Sequence, residues 1–131
     1  MSWLAASIKW IMLVSGLLTC TMLYAAIAPQ AALRSTFGEE LDGPVAQIVV
    51  RNWGALIGLM GLMLVFGAFH PPVRRLALSV AGASKLVFIG LVLTYGRQYL
   101  HHQAGVAVIM DLVTVVIFAT YLLAVRTRAV A

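Results

Sequence analysis

Cysteine is nearly missing from this chain. Cys20 is the only one, which excludes an intrachain disulfide, a CxxC redox pair and a cysteine-based zinc site. Carboxylates are scarce too: of 131 residues only four are acidic, and three of those sit together in the GEELDG turn. No two carboxylates share an apolar run and no nucleophile there has an adjacent base, so hydrolysis lacks its minimum equipment. Histidines number three. His101 and His102 are neighbours in a polar segment, where adjacent side chains diverge, and His70 belongs to a different connection. They supply neither a metal cluster nor the facing pair of a bis-histidine haem, and the expectation is no metal and no cofactor. Internal repeats, low-complexity tracts and any stretch polar enough for a soluble domain are missing as well. Charged residues make up 10% of the chain, against about 25% in ordinary soluble domains.

What fills the chain instead is apolar. The hydrophobic share is 63% and the mean hydropathy is +1.01, where soluble domains run at about 45–50% apolar. A bilayer core of about 30 Å needs about 20 mostly apolar residues per helix, and four stretches meet that: Ile8–Ala28, Val49–Phe69, Leu76–Tyr95 and Gly105–Val125. Turn residues separate them, PQ at 29–30, DGP at 42–44, HPP at 70–72 and the GRQYLHHQAG segment. The pattern predicts an all-α integral membrane protein, one domain over residues 1–131, with four transmembrane helices in one bundle and its longest connection at 29–44. The first stretch is expected to stay as a helix rather than be cleaved as a signal peptide. No basic residue precedes it, and Pro29 follows Ala26–Ala28, where a cut would fall.

The formal charge of +5 and pI near 10.0 do not imply nucleic acid, because the cations are scattered at helix ends rather than clustered with aromatics on one face. An even number of spans puts both termini on one side, and the excess of Lys and Arg in cytoplasmic segments chooses the side. Lys9, Arg74, Arg75, Arg126 and Arg128 fall on the side of the termini, against Arg34, Arg51 and Arg97 on the other. Both termini are therefore expected in the cytoplasm and the chain in the inner (plasma) membrane. Trp3 and Trp10 would mark the cytoplasmic interface, Trp53 and Tyr95 the outer one. In the outer connection AALRSTF reads as a short amphipathic run along the headgroups, with Asp42 as N-cap of the second span and Pro44 in its first turn.

Two constellations stand out. On the second span RNWGALIGLMG puts Arg51, Gly54, Gly58 and Gly61 on one helical face. Gly54 and Gly58 form a GxxxG pair, which lets another backbone approach closely inside the bundle or at a dimer interface. Gly16, Cys20 and Tyr24 form a weaker companion stripe on the first span. The other constellation is Asp111, a carboxylate inside VAVIMDLVTVVIFATYLLAV. At about 1.5 Å per residue it lies between Arg51, near the outer boundary, and Lys85, near the midplane. Charges within a membrane are costly unless they face inward and pair, so the expected arrangement is a ladder of Arg51, Asp111 and Lys85. Such a ladder either fixes helix order or forms a ligand site, and both readings stay open. Two cations around one carboxylate would suit an anionic headgroup or substrate. Lys9 can snorkel to the interface.

The turn Ala28-Pro29-Gln30-Ala31-Ala32-Leu33, with Phe37-Gly38 beyond it, and the Arg51-to-Gly61 face resemble small bacterial DoxX-like membrane proteins over the whole chain. The architecture is also similar to the four-span scaffold subunits of sterol-synthesis complexes. The resemblance implies an oligomeric or partner-associated protein without a defined catalytic centre, and the single cysteine leaves no pair for the redox chemistry ascribed to some DoxX-type proteins. Small multidrug exporters share the size, but their first-helix glutamate has no match, since Lys9 is the only charge there. The leading expectation is a non-catalytic membrane subunit or scaffold that packs through Gly54, Gly58, Gly61 and Gly16 and can hold a lipid or hydrophobic ligand. Its partners would be membrane lipid and a second copy or a complex, with no nucleic acid. The alternative is a small transporter with an intramembrane Asp/Lys/Arg site, and an enzyme is the remotest class.

Overall fold

The computed structural model describes residues 2–130, and of residues 2, 4, 5 and 127–130 the backbone alone. Arg128, counted above among the cations beside the termini, thus has its side chain outside the described residues. Every described element is a helix. Helix α1 (Ser2–Cys20) passes through a 3-10 turn at Thr21–Leu23 into the short α2 (Tyr24–Ile27); α3 is Pro29–Phe37, α4 Pro44–Phe69, α5 Pro71–Tyr95 and α6 Gln103–Val130. Four segments, Ala6–Ile27, Pro44–Phe69, Pro71–Tyr95 and Gln103–Arg126, are long and apolar enough to cross a membrane.

Prolines set the starts. Pro29, Pro44 and Pro71 stand in the first turns of α3, α4 and α5, where a missing N–H costs nothing. The α4 start differs from expectation. Gly43, at φ 100°, is the N-cap and no side chain caps the helix, so Asp42 does not serve. Pro44 at the first position fixes the cap one residue after Asp42. Helix α3 ends at Gly38, φ 76°, whose N–H bonds the Arg34 carbonyl. Where α1 ends, the hydroxyls of Thr19 and Thr21 donate to the carbonyls of Ser15 (2.7 Å) and Leu18 (2.5 Å). Such back-bonding loosens the regular ladder, and the 3-10 turn falls there.

Helix α1 packs along α4, α4 along α5 and α5 along α6, while α6 meets α1 most sparsely of these neighbours. At one end the interlock is dense. Ile8 and Met12, Leu64 and Ala68, Ala77 and Leu78, and Phe118, from all four long helices, are buried in one cluster. The Lys9 ammonium lies 5.0 Å from the Phe69 ring. Arg74 donates to the last carbonyls of α4, at Gly67 (3.2 Å) and Ala68 (2.8 Å), the favourable placement of a cation at a helix C-terminus. At the other end α3 folds back over the long helices. Pro29, Ala32, Leu33 and Thr36 are buried at helical spacing, so the AALRSTF run faces protein as well as surroundings. Phe37 packs against Trp53 (centroids 6.2 Å) and edge-on to Tyr99 (5.3 Å). Arg34 pairs with Glu40 at 2.7 Å, and the Tyr99 hydroxyl donates to Glu39 at 2.8 Å. That bond holds the Tyr99 phenol above its ordinary value, because the carboxylate accepts from the neutral form.

Candidate functional site

Between the dense end and α3 the four long helices enclose a half-open cavity of about 290 Å³. Each contributes one stripe at helical spacing: Ser15, Leu18, Thr19 and Met22 from α1 and the turn after it; Trp53, Ile57, Met60 and Leu64 from α4; Ala81, Ser84, Lys85 and Phe88 from α5; Gln103, Ala107, Met110, Asp111 and Thr114 from α6. Those i, i+3, i+4, i+7 intervals make each stripe one face of its helix. Thr36 of α3, with Thr21 and Tyr24, completes the lining, and the Tyr24 hydroxyl lies 2.7 Å from that of Ser35, tying α3 to α2. The volume sits at the lower edge of ligand pockets, about 300–1,000 Å³. With a water occupying about 30 Å³, it has room for about ten such units.

Lys85 and Asp111 form part of the cavity wall. Their Nζ and Oδ1 are 2.7 Å apart, with side chains 14% and 20% exposed. Both residues line the cavity, so the pair is neither sealed in the core nor at the surface. The close packing of α5 on α6 accounts for it. Lys85 is 26 residues before Asp111 across a helical hairpin, which returns the chain to the same level. Ser15, Thr19, Ser84 and Thr114 line the same cavity. Thr114 spends its proton on the Met110 carbonyl (2.8 Å) and Thr19 on that of Ser15, which leaves each oxygen as an acceptor.

Arg51 stands apart from the pair. It is exposed, and its guanidinium donates to the Ala26 carbonyl at 2.6 Å, the Ile27 carbonyl at 3.5 Å and Gln47 Oε1 at 3.2 Å. The C-terminus of α2 offers unsatisfied carbonyls at the depth of Arg51, and the side chain takes those. The structure therefore brings together two rungs of the expected ladder and leaves the third at a helix end.

The glycine face is filled from within the chain. A Cβ on Gly61 would stand 2.6 Å from the Gly16 carbonyl oxygen and the Cys20 nitrogen, one on Gly16 2.8 Å from the Gly61 oxygen, and one on Gly54 2.6 Å from the Ala25 Cβ. Gly58 faces the end of the Leu23 side chain, and Cys20 Sγ lies 3.8 Å from the Gly58 carbonyl oxygen. The neighbour that these glycines admit is α1 with its continuation. Tyr24 leaves the companion stripe because the 3-10 turn rotates it out. Among the described residues no group of three or more His, Cys, Asp or Glu is placed to hold a metal.

Residues 7–97 match the family described as "Domain of unknown function (DUF4345)". The chain belongs to the DUF4345 family. The matched segment runs from within α1 to Arg97, the first residue of the 3-10 turn at Arg97–Tyr99, so it includes Lys85 and the glycine face, whereas Asp111 lies beyond it. No curated protein matches the chain, and no solved structure does.

The hydroxyls at the level of the ion pair were not among the residues singled out from the sequence. A signal for them exists: Ser84 adjoins Lys85, Thr114 follows Asp111 by three, and Ser15 and Thr19 are four apart in α1. Trp53, read as an interfacial aromatic, is half-buried and lines the cavity.

Proposed function

We propose that this DUF4345 protein is a non-catalytic four-helix bundle of the inner membrane, both termini in the cytoplasm, whose cavity holds a lipid or another hydrophobic ligand. The observation that carries the reading is the Lys85–Asp111 pair in the wall of an otherwise largely apolar cavity. A void lined by aliphatic, aromatic and a few convergent polar groups is what a ligand site requires. The entrance is the α1–α6 seam, where Leu18 and Met110 line the cavity and are themselves exposed. A lipid in the surrounding bilayer reaches it without crossing water. Because α1 fills the glycine face, assembly with a partner or a second copy, as expected of a subunit or scaffold, falls to other surfaces.

Native mass spectrometry after extraction in mild detergent tests this. The wild type is expected to carry a lipid-sized adduct that Ala107→Phe, which fills the cavity, loses while keeping its helical content. Equal adducts on both proteins would mean that lipid binds elsewhere, and the reading would fall. A transporter remains the second reading, favoured by the access of the same pair to the cavity. Accumulation of a solute in proteoliposomes, abolished by Lys85→Met, would replace the first reading with it.

A further inference from the structure

We infer that the cavity selects an uncharged lipid whose head carries hydroxyl groups, and that Lys85 and Asp111 impose the choice because their charges cancel. The inference rests on the reading of the cavity as a ligand site and goes further by naming the head. Arg51, whose presence would leave a net positive site, is engaged with the Ala26 and Ile27 carbonyls. Among the described residues that line the cavity, Lys85 and Asp111 are the only charged ones. An incoming carboxylate or ammonium would bring an unbalanced charge into a low-dielectric wall, where isolated charge is disfavoured. An uncharged head escapes that penalty, provided that it makes hydrogen bonds to the groups it covers.

The hydrogen-bonding inventory narrows the head further. An ammonium has three protons, and Lys85 directs one at Asp111 Oδ1, leaving donors for an incoming oxygen. Asp111 has acceptor capacity beyond that bond. The hydroxyls of Thr19 and Thr114, whose protons are spent on helix carbonyls, add acceptors. A group meeting both sets must donate and accept at once. A hydroxyl does so; a carbonyl or an ether only accepts. Room for about ten water-sized units admits a small polyol head, while an acyl tail leaves by the seam between α1 and α6.

The test uses Trp53, which lines the cavity, as reporter in the full chain with Trp3→Phe and Trp10→Phe, in maltoside micelles at neutral pH. Monooleoylglycerol, oleate and oleylamine share a chain and differ in head. Monooleoylglycerol is expected to change the Trp53 fluorescence saturably, with the two charged lipids at least about tenfold weaker. Asp111→Asn leaves Lys85 as a lone cation and should raise oleate relative to the others; Lys85→Gln should do the same for oleylamine. If those variants do not fold, Lys85→Met with Asp111→Leu keeps the sum of charges at zero and should keep charged lipids weakest. Oleate or oleylamine binding the wild type as tightly as monooleoylglycerol would overturn the choice of head and leave cavity occupancy standing, as would an unchanged ranking in Asp111→Asn or a charged lipid rising to first in the double variant. Absence of saturation by all three lipids would overturn cavity occupancy itself.

Discussion

The two ends of the same four helices are built differently. Toward the α4–α5 turn, Ile8, Met12, Leu64, Leu78 and Phe118 interlock with almost no exposed surface. Toward α3 the helices line a cavity and carry hydroxyls and an ion pair on the inner faces that are apolar at the other end. In a membrane, where lipid tails are as apolar as leucine, close packing and van der Waals contact hold helices together. The dense end has those contacts. The hollow end forgoes them and is held by its periphery: α1 against the α4 glycines, Arg51 on the end of α2, and α3 tied through Phe37 to Trp53 and Tyr99. A void kept open by a fastened rim is what distinguishes a site from poor packing.

 

The widest gap between the two ends is expected from truncating a large side chain in each. Phe118→Ala opens a cavity in the dense cluster and should cost on the order of 3–5 kcal/mol. Met60→Ala only enlarges a void that already exists and should cost under about 2 kcal/mol. Unfolding in a graded denaturing detergent compares them, and equal losses would erase the distinction. Next in size is Asp111→Asn, which leaves Lys85 without its counter-ion. A fully buried pair broken on one side loses about 3–5 kcal/mol, and the access of this pair to the cavity reduces the expected loss to about 2–3 kcal/mol. Adding Lys85→Met should recover most of it. A loss that persists would mean that Asp111 holds the fold through another contact.

The glycine rim gives a smaller effect with an internal control. Gly61→Ala drives a Cβ against backbone atoms of Gly16 and Cys20, which cannot swing aside, and should cost about 1–3 kcal/mol. Gly82→Ala meets nothing within 4 Å and should be neutral, or stabilising by up to about 1 kcal/mol through helix propensity. Equal midpoints for the two would remove α1–α4 contact from the account. The smallest effect concerns the connections at the α3 end. Since the bond to Glu39 raises the folded phenol of Tyr99 above its ordinary value of about 10, its contribution is fully present below that pH and is lost as the pH climbs through the raised value. Glu39→Gln should bring one tyrosine titration, followed by ultraviolet absorbance, back toward the ordinary value while the unfolding midpoint at neutral pH stays put. An unchanged titration would separate Tyr99 from Glu39.

Much of this arrangement is legible in the sequence. Apolar length locates the four long helices, proline and glycine punctuate them, and a lone carboxylate in an apolar run calls for a cation, which Lys85 supplies. What escapes is geometry that a one-dimensional pattern does not encode. Arg51 has the right depth for the ladder, but depth says nothing of which side of a helix end is nearer, and the α2 carbonyls are. Asp42 has the right residue type for a cap and stands one position too early relative to Pro44. The AALRSTF run is amphipathic by composition, yet only the turn at Ala28–Pro29 decides whether its apolar face meets headgroups or the rim of the cavity. The cavity itself is a property of how far α1 stands from α6, and its trace in the sequence is limited to hydroxyls recurring at the level of Lys85 and Asp111.

The central claim, that the hollow end is completed by a lipid, is tested most directly by thermal unfolding of wild type and Ala107→Phe, each stripped of lipid and then supplied with monooleoylglycerol. A ligand that binds the folded state alone raises stability by RT ln(1 + [L]/Kd), about 2.7 kcal/mol at a hundredfold excess over Kd. The account predicts a saturable rise in the wild-type midpoint and none in Ala107→Phe, whose cavity is already occupied by its own side chain. Equal rises in the two proteins, or no rise in either, would contradict it.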